Sequence, residues 1–208
     1  MKVLLINGSP RTKGCTYTAL NEIAKTLNEF EIDTEIINIG NEPIQDCIAC
    51  LSCRKLNGKC IFDDDCVNKI IEKAKECDGF VFGSPVYYAH PSGRILSALN
   101  RIFYAGSAAF AHKPAAAIAS ARRAGTTATV DVLNKYFTIS QMPVVSSTYW
   151  NMVHGSSTED VLKDLEGIQT MHNIAKNMAW LLKCIDAGKR SGINLPDTIK
   201  KERTNFIR

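Results

Sequence analysis

The chain opens with a short apolar run that leads through a polar loop into a helical pattern, and this arrangement constrains the fold most. Val3 to Ile6 is too short for a helix but suits a strand buried on both faces. The apolar spacing of a helix then begins at Leu20. The intervening loop therefore meets a helix N-terminus, where unpaired N–H groups and the positive end of the helix dipole suit an anion.

The composition of this loop favours a phosphate. Ser9, Thr12 and Thr16 offer hydroxyl donors, and Arg11 and Lys13 add positive charge. The sequence matches neither G-x-x-x-x-G-K-[ST] nor G-x-G-x-x-G, which argues against a P-loop nucleotidase and an ordinary dinucleotide fold. The alternative is an ordinary polar turn between a strand and a helix.

Strand and helix patterns alternate along the rest of the chain. The predicted strands cover residues 3–6, 34–39, 79–85, 114–120 and 143–148, and the predicted helices cover residues 16–28, 67–74, 92–103, 126–137 and 159–187. Asp63 to Asp65 are expected to cap the second helix. This alternation predicts an α/β fold with a three-layer, doubly wound, five-stranded parallel sheet.

The chain's length and charge restrict its organisation and its partners. With 208 residues and 45% hydrophobic content, one domain over 1–190 is expected, with a cysteine-rich insertion at 44–66 and a tail at 191–208. The net charge of +4 is spread along the chain, which argues against nucleic acid and favours an anionic ligand.

The sequence also predicts a compartment. Met1 runs directly into a core strand, and no apolar run is long enough to span a bilayer, so we expect a cytoplasmic protein without a membrane partner. In a reducing compartment, the eight cysteines are not expected to form a disulfide framework. Cys66, Cys77 and Cys184 fall at helical positions and are predicted to be packing residues.

Ligands of such sheets bind at the carboxyl ends of the strands. The loop after the third strand contains Tyr87 and Tyr88, and the loop after the fourth contains Ser120, Arg122, Arg123 and Gly125. Together with the first loop, they suit a ligand with a phosphate at one end and a flat ring at the other.

Three segments carry a specific resemblance: GSPRTKGCT, GSPVYYAHPSG and C-x2-C-x2-C-x6-C. Over residues 1–155 the chain resembles the flavodoxin-like NAD(P)H-dependent FMN reductases. The resemblance implies strand order 2-1-3-4-5 and bound FMN, with Cys15 at a position where Asn is usual. The resemblance implies that the FMN phosphate is bound by Ser9, Arg11, Gly14, Cys15 and Thr16. It implies that the isoalloxazine ring is held by Pro85, Val86, Tyr87 and Tyr88, and that the far edge of the ring lies near Ser120 and Gly125.

The cysteine-rich segment leaves its chemistry open. Cys47, Cys50, Cys53 and Cys60 could complete a tetrahedral set for an iron–sulfur cluster or zinc. Their spacing resembles that of the iron–sulfur flavoproteins, which implies a [4Fe-4S] cluster exchanging electrons with FMN. Free or redox-active thiols are the other interpretation.

No residue stands out as a catalytic acid, base or nucleophile, so the flavin is expected to carry the chemistry. His90 and His154 are the candidates for proton donation, and Trp150, Asn151 and His154 are predicted to line the substrate side. Arg122 and Arg123 are candidates for attracting the NAD(P)H phosphate, or are simply solvated charges. No hydrolytic motif is present.

These observations support three functional hypotheses. The first is an FMN-dependent NAD(P)H oxidoreductase that reduces a quinone, nitro or azo compound. The second is an iron–sulfur flavoprotein that carries electrons to a redox protein, and the third is a non-catalytic flavin or thiol sensor. The resemblance also implies a homodimer or homotetramer, with Phe103, Tyr104 and Phe110 as candidate interface residues.

Overall fold

The sheet lies at the centre of the molecule. The computed structural model describes residues 1–197 together with 199, 202, 204 and 206. Its strands are β1 (Lys2–Asn7), β2 (Asp33–Asn38), β3 (Gly79–Tyr87), β4 (His90–Pro91), β5 (Ala115–Ala121) and β6 (Met152–His154). The five parallel strands run in the order β2-β1-β3-β5-β6, while β4 pairs antiparallel with the end of β3. Without this hairpin strand, the order is the predicted 2-1-3-4-5.

In the part of the chain that the structure describes, six α-helices flank the sheet: α1 (Cys15–Glu29), α2 (Val67–Lys75), α3 (Gly93–Gly106), α4 (Thr126–Ile139), α5 (Thr158–Lys163) and α6 (Leu165–Arg190). Alternate strand residues enter two separate cores. Leu4 and Phe82 pack with α2, α3 and α4, while Leu5 and Val81 pack with α1 and α6. The predicted three-layer, doubly wound architecture is therefore confirmed.

The fifth parallel strand was placed wrongly by the sequence pattern. Residues 143–148 make one isolated bridge, Ala115 with Val144, and the strand itself is Met152–His154. The segment exchanges two backbone bonds with Ala115 and then turns away, because the Ser147 hydroxyl bonds to the carbonyl oxygen of Tyr149 and to the side chain of Asn151. The chain regains the sheet opposite Ala119 to Ala121.

The long last helix is also interrupted, at a single residue. Asp164 separates α5 from α6 with ψ at +77°, and its carboxylate accepts the backbone N–H of Gly167 at 3.0 Å. The same carboxylate accepts the backbone N–H of His154 at 2.6 Å. Leu162 and Leu165, two leucines within the predicted helix 159–187, are exposed on either side of this break.

Three further residues differ from their predicted environments. Phe103 and Phe110 are core residues packed on Phe82, so only Tyr104 of the proposed interface set is exposed. Cys184 is exposed and is not a packing residue, whereas Cys77 is buried as predicted.

The long helix α6 is the last element of the described fold. The fold extends to Arg190, where α6 ends. The tail predicted at 191–208 falls partly outside the described residues. Among the residues that the structure does describe, no helix combines the length and apolar character needed to cross a membrane.

Candidate functional site

The carboxyl edge of the sheet carries two neighbouring clefts. The first, of about 180 Å³, lies between the loops that follow β1, β3, β5 and β6; the second, of about 570 Å³, lies on the other side of the first loop. Both clefts are bordered by Arg11, Cys15 and Ser156. The first is also lined by Ser9, Thr16, Pro85, Val86, Tyr87, Ser120, Ala121, Arg122 and Gly155.

The loop after β1 is folded around a buried asparagine at the end of the strand. The Asn7 side-chain amide donates to the carbonyl oxygen of Arg11 at 3.2 Å and to the Asn38 side chain at 2.7 Å. Its oxygen accepts the backbone N–H of Ser9 at 3.1 Å, and the Ser9 hydroxyl accepts that of Arg11. Sequence reasoning missed Asn7, although a polar residue ending a buried strand was a usable signal.

Two buried hydroxyl groups meet at the base of the first cleft. Thr16 in the first turn of α1 and Ser120 near the end of β5 lie 2.8 Å apart through their hydroxyl oxygens, at 1% and 5% exposure. Gly14 precedes α1 in an extended conformation, and no described side chain caps this helix. The first-turn N–H groups of α1 therefore remain available to an anion.

Cys15 links the first loop to the loop after β6. Its thiol donates to the carbonyl oxygens of Ser157 at 3.5 Å and Gly155 at 3.7 Å. Burial raises the pKa of the Cys15 thiol, so it remains protonated and acts as a donor at neutral pH. The residue that replaces the usual asparagine therefore contacts protein carbonyls on the opposite wall.

A hairpin forms another wall. Val86 pairs with Pro91 and Tyr87 with His90, which places Tyr88 and Ala89 at the tip with positive φ angles. Tyr87 borders the cleft and is half exposed, while Tyr88 is fully exposed. Gly125, with φ at +93°, precedes the first residue of α4 and lies against this tip, where a Cβ atom would lie 2.5 Å from the Cα of Ala89.

The remaining candidates occupy different surroundings. His90 is exposed on the hairpin, and the His154 ring bonds to the carbonyl oxygen of Arg123 at 3.0 Å. Asn151 is buried and holds its own loop, whereas Trp150 is exposed. Arg122 borders the first cleft, and both Arg122 and Arg123 are exposed, which leaves both interpretations of these charges open.

The four cysteines of the C-x2-C-x2-C-x6-C segment come together at one place. Cys47, Cys50, Cys53 and Cys60 line a single cavity of about 20 Å³, whose other walls include Ile48, Leu51, Ile61, Phe62, Arg101 and Tyr104. Ala49 and Leu51, on either side of Cys50, both have positive φ angles. Such turns direct backbone N–H groups toward bound anions and iron–sulfur clusters.

The residue types that line this cavity suit a metal cluster, whereas their spacing in the structure does not form a metal site. Four cysteine sulfur atoms are a donor set that suits an iron–sulfur cluster. Within residues 1–197 and the four later described positions, however, no three His, Cys, Asp or Glu side chains are close enough together to hold a metal ion. The residues therefore fit a cluster by type and by shared location, without converging on one point.

A buried arginine, which the sequence analysis did not identify, bonds to both ends of this segment. Arg101 of α3 is 1% exposed and donates to the Cys60 sulfur at 3.2 Å. It also donates to the carbonyl oxygens of Phe62 and Gln45 and pairs with the Asp65 carboxylate. The helical pattern placed Arg101 on α3, but only the packing of the loop on that helix shows its partners.

Comparisons with known proteins agree with this geometry. The family model described as NADPH-dependent FMN reductase matches residues 1–157. An iron-sulfur flavoprotein of Methanocaldococcus jannaschii is 31% identical over 193 residues, covering 89% of this chain and 99% of the relative. An iron-sulfur flavoprotein of Methanosarcina thermophila is 26% identical over 195 residues, covering 91% and 99%.

Solved structures share the same fold. An archaeal flavodoxin superposes with a TM-score of 0.58 at 12% identity, covering 88% of this chain and 99% of that one. The apo form of an NADH:FMN oxidoreductase superposes with a TM-score of 0.63 at 17% identity, covering 86% and 89%. The fold is therefore flavodoxin-like, as predicted.

Proposed function

Since this chain belongs to the NADPH-dependent FMN reductase family, we propose that it binds FMN at the carboxyl edge of the sheet and passes electrons from NAD(P)H to a small acceptor. As a member of that family the protein is a flavin oxidoreductase. The proposed acceptor is a quinone, nitro or azo compound. When bound, FMN would supply the redox chemistry by accepting a hydride and releasing electrons.

The observation that carries this proposal is the loop at the start of α1. Its backbone is fixed by Asn7 and Ser9, the adjacent N–H groups of α1 are available, and Arg11 borders both clefts. Buried hydroxyl groups on Thr16 and Ser120 lie next to it. This donor set fits the dianionic phosphate of FMN.

The protein's own residues would orient the cofactor and shield it. Pro85 and Val86 are half-buried at the end of β3, and Tyr87 offers a ring beside the first cleft. The first cleft is smaller than the roughly 300–1,000 Å³ usual for ligand pockets. A flavin ring held there would keep one face or edge accessible, as hydride transfer from a second nucleotide requires.

FMN titration of an arginine variant tests the site. We expect Arg11→Gln to weaken FMN binding about tenfold or more, because one charge-assisted contact to the phosphate is lost. Lys13→Gln is the matched control, since it removes an equal charge from the same loop and should have a smaller effect. Flavin fluorescence quenching gives both dissociation constants, and equal effects of the two variants would contradict the assigned phosphate contact.

Turnover is measured separately. The wild-type protein with bound FMN should oxidise NADH or NADPH when a quinone is supplied. A protein that binds FMN tightly but shows no turnover with either nucleotide would contradict the reductase and favour the flavin or thiol sensor.

A second candidate function, an iron–sulfur flavoprotein electron carrier, is favoured by a specific observation. All four cysteines of the compact motif line one cavity, and the two curated relatives compared above are named iron-sulfur flavoproteins. Cys47, Cys50, Cys53 and Cys60 would hold a [4Fe-4S] cluster. When bound, such a cluster would supply one-electron transfer.

Visible absorption and iron analysis of anaerobically purified protein test the cluster. We expect about four irons per chain and a broad shoulder under the flavin bands. Cys50→Ser should remove the shoulder, while Cys184→Ser, which changes another exposed cysteine on α6, should preserve it. A wild-type protein with flavin bands and no iron would overturn this candidate and leave the reductase intact.

A further inference from the structure

Arg101 contacts four separate points of the cysteine-rich segment. Its Nε donates to the Cys60 sulfur at 3.2 Å, and one Nη donates to the carbonyl oxygen of Phe62 at 2.8 Å. The other Nη donates to the carbonyl oxygen of Gln45 at 3.2 Å and pairs with the Asp65 carboxylate. The guanidinium thus joins the segment before Cys47 to the segment after Cys60 through one buried side chain.

The burial of this charge makes its contacts significant. A buried cation is costly unless it is paired and hydrogen-bonded, and Arg101 has partners for all three of its guanidinium nitrogens. Asp65 alone could balance the charge. The extra bond to a cysteine sulfur is not needed for charge balance, so it points to a role at Cys60.

The backbone of Cys60 is held at both its N–H and its carbonyl group by one side chain. Its N–H donates to the Asn68 side-chain oxygen at 2.8 Å, and its carbonyl accepts from the Asn68 amide at 3.0 Å. Cys50, by contrast, is exposed between two left-handed residues. One thiol is therefore fixed in position, while another lies on a more accessible part of the loop.

We propose that Arg101 is a positioning residue that preorganises the cysteine-rich segment and donates an N–H···S bond to Cys60 as a cluster ligand. This inference rests on the proposed cluster. Hydrogen bonds to ligand sulfurs stabilise the reduced, more negative form of a cluster and so raise its reduction potential. Arg101 would thus set both the shape of the loop and the potential of the centre it holds.

Hydrogen–deuterium exchange tests the effect on the loop in the full-length protein after iron removal. Arg101→Gln should speed exchange across residues 45–65 about tenfold or more, the change that corresponds to the loss of a charge-assisted hydrogen bond. Arg54→Gln, at an exposed position between Cys53 and Cys60, is the matched control and should exchange like the wild type. Wild-type exchange in Arg101→Gln would overturn the proposal.

A conservative variant tests the bond to sulfur. Arg101→Lys keeps the charge beside Asp65 but loses the guanidinium fork, and it should hold its iron with a lower midpoint potential in an EPR-monitored titration. An unchanged potential would show that Arg101 only balances Asp65, and would overturn the proposal even if Arg101→Gln fails to fold. If the wild type binds no iron, the proposed cluster is contradicted. The hydrogen–deuterium exchange of Arg101→Gln then decides alone whether Arg101 organises the loop.

Discussion

At the scale of single residues, the thiols divide by their surroundings. Burial raises the pKa of Cys15 and Cys66 above the ordinary value of 9.0. The Ser52 side chain, followed by its backbone N–H, lowers the pKa of exposed Cys50. A thiolate forms once the pH exceeds the pKa, so we expect iodoacetamide to modify Cys50 at lower pH than Cys15 or Cys66.

Mass spectrometry of iron-free protein, alkylated over a pH series, measures this order directly. The same series in concentrated urea is the control, because the three cysteines should then react alike. Modification of Cys15 before Cys50 in the folded protein would contradict the assigned environments.

Some residues of the candidate site could be predicted from the sequence more readily than others. Ser9 and Thr16 follow β1, and Ser120 lies near the end of β5, so strand ends alone predicted that their side chains would share one edge of the sheet. Asn7 ends β1 and could have been found in the same way. Arg101 could not, because its role depends on which loop folds back on α3. The spacing of residues along the chain does not predict such contacts between distant segments.

At the scale of elements, residues 143–154 show where patterns fail. Val144 and Val145 are β-branched and predicted a strand, yet Met152–His154 pairs with β5. The deciding contacts are the Ser147 bonds that turn the chain between the two segments. Element type could be read from local composition, whereas the choice between two candidate strands depended on side-chain bonds within a loop.

The junction of α4 with the hairpin gives a prediction at the same scale. Gly125→Ala should lower the free energy of unfolding by about 1–3 kcal/mol, because an alanine is strained at φ +93° and its Cβ would lie 2.5 Å from Ala89. Gly93→Ala, where a Cβ would meet no atom within 4 Å, should cost little or nothing. Urea unfolding measures both, and equal losses would contradict this account of the junction.

At the scale of the whole molecule, the hairpin tip presents an exposed aromatic side chain near the proposed flavin site. Tyr88 is fully exposed with φ at +51°, in a conformation that bulky residues rarely adopt, and the pairing of β3 with β4 holds it there. Exposed aromatic side chains on rigid supports are typical of interfaces. We therefore propose that Tyr88 contacts a second copy of the chain in the expected homodimer or homotetramer.

Replacement of this side chain tests assembly and flavin shielding together. Tyr88→Ser should raise the dimer dissociation constant about thirtyfold, as expected for a central aromatic contact worth ~2 kcal/mol. Trp180→Ser, which removes an exposed aromatic ring from α6, should leave association unchanged in sedimentation velocity runs over a concentration series. If the second copy completes the flavin pocket, iodide should also quench the flavin of Tyr88→Ser more strongly. A monomeric wild type, or equal association of both variants, would place the contact surface elsewhere.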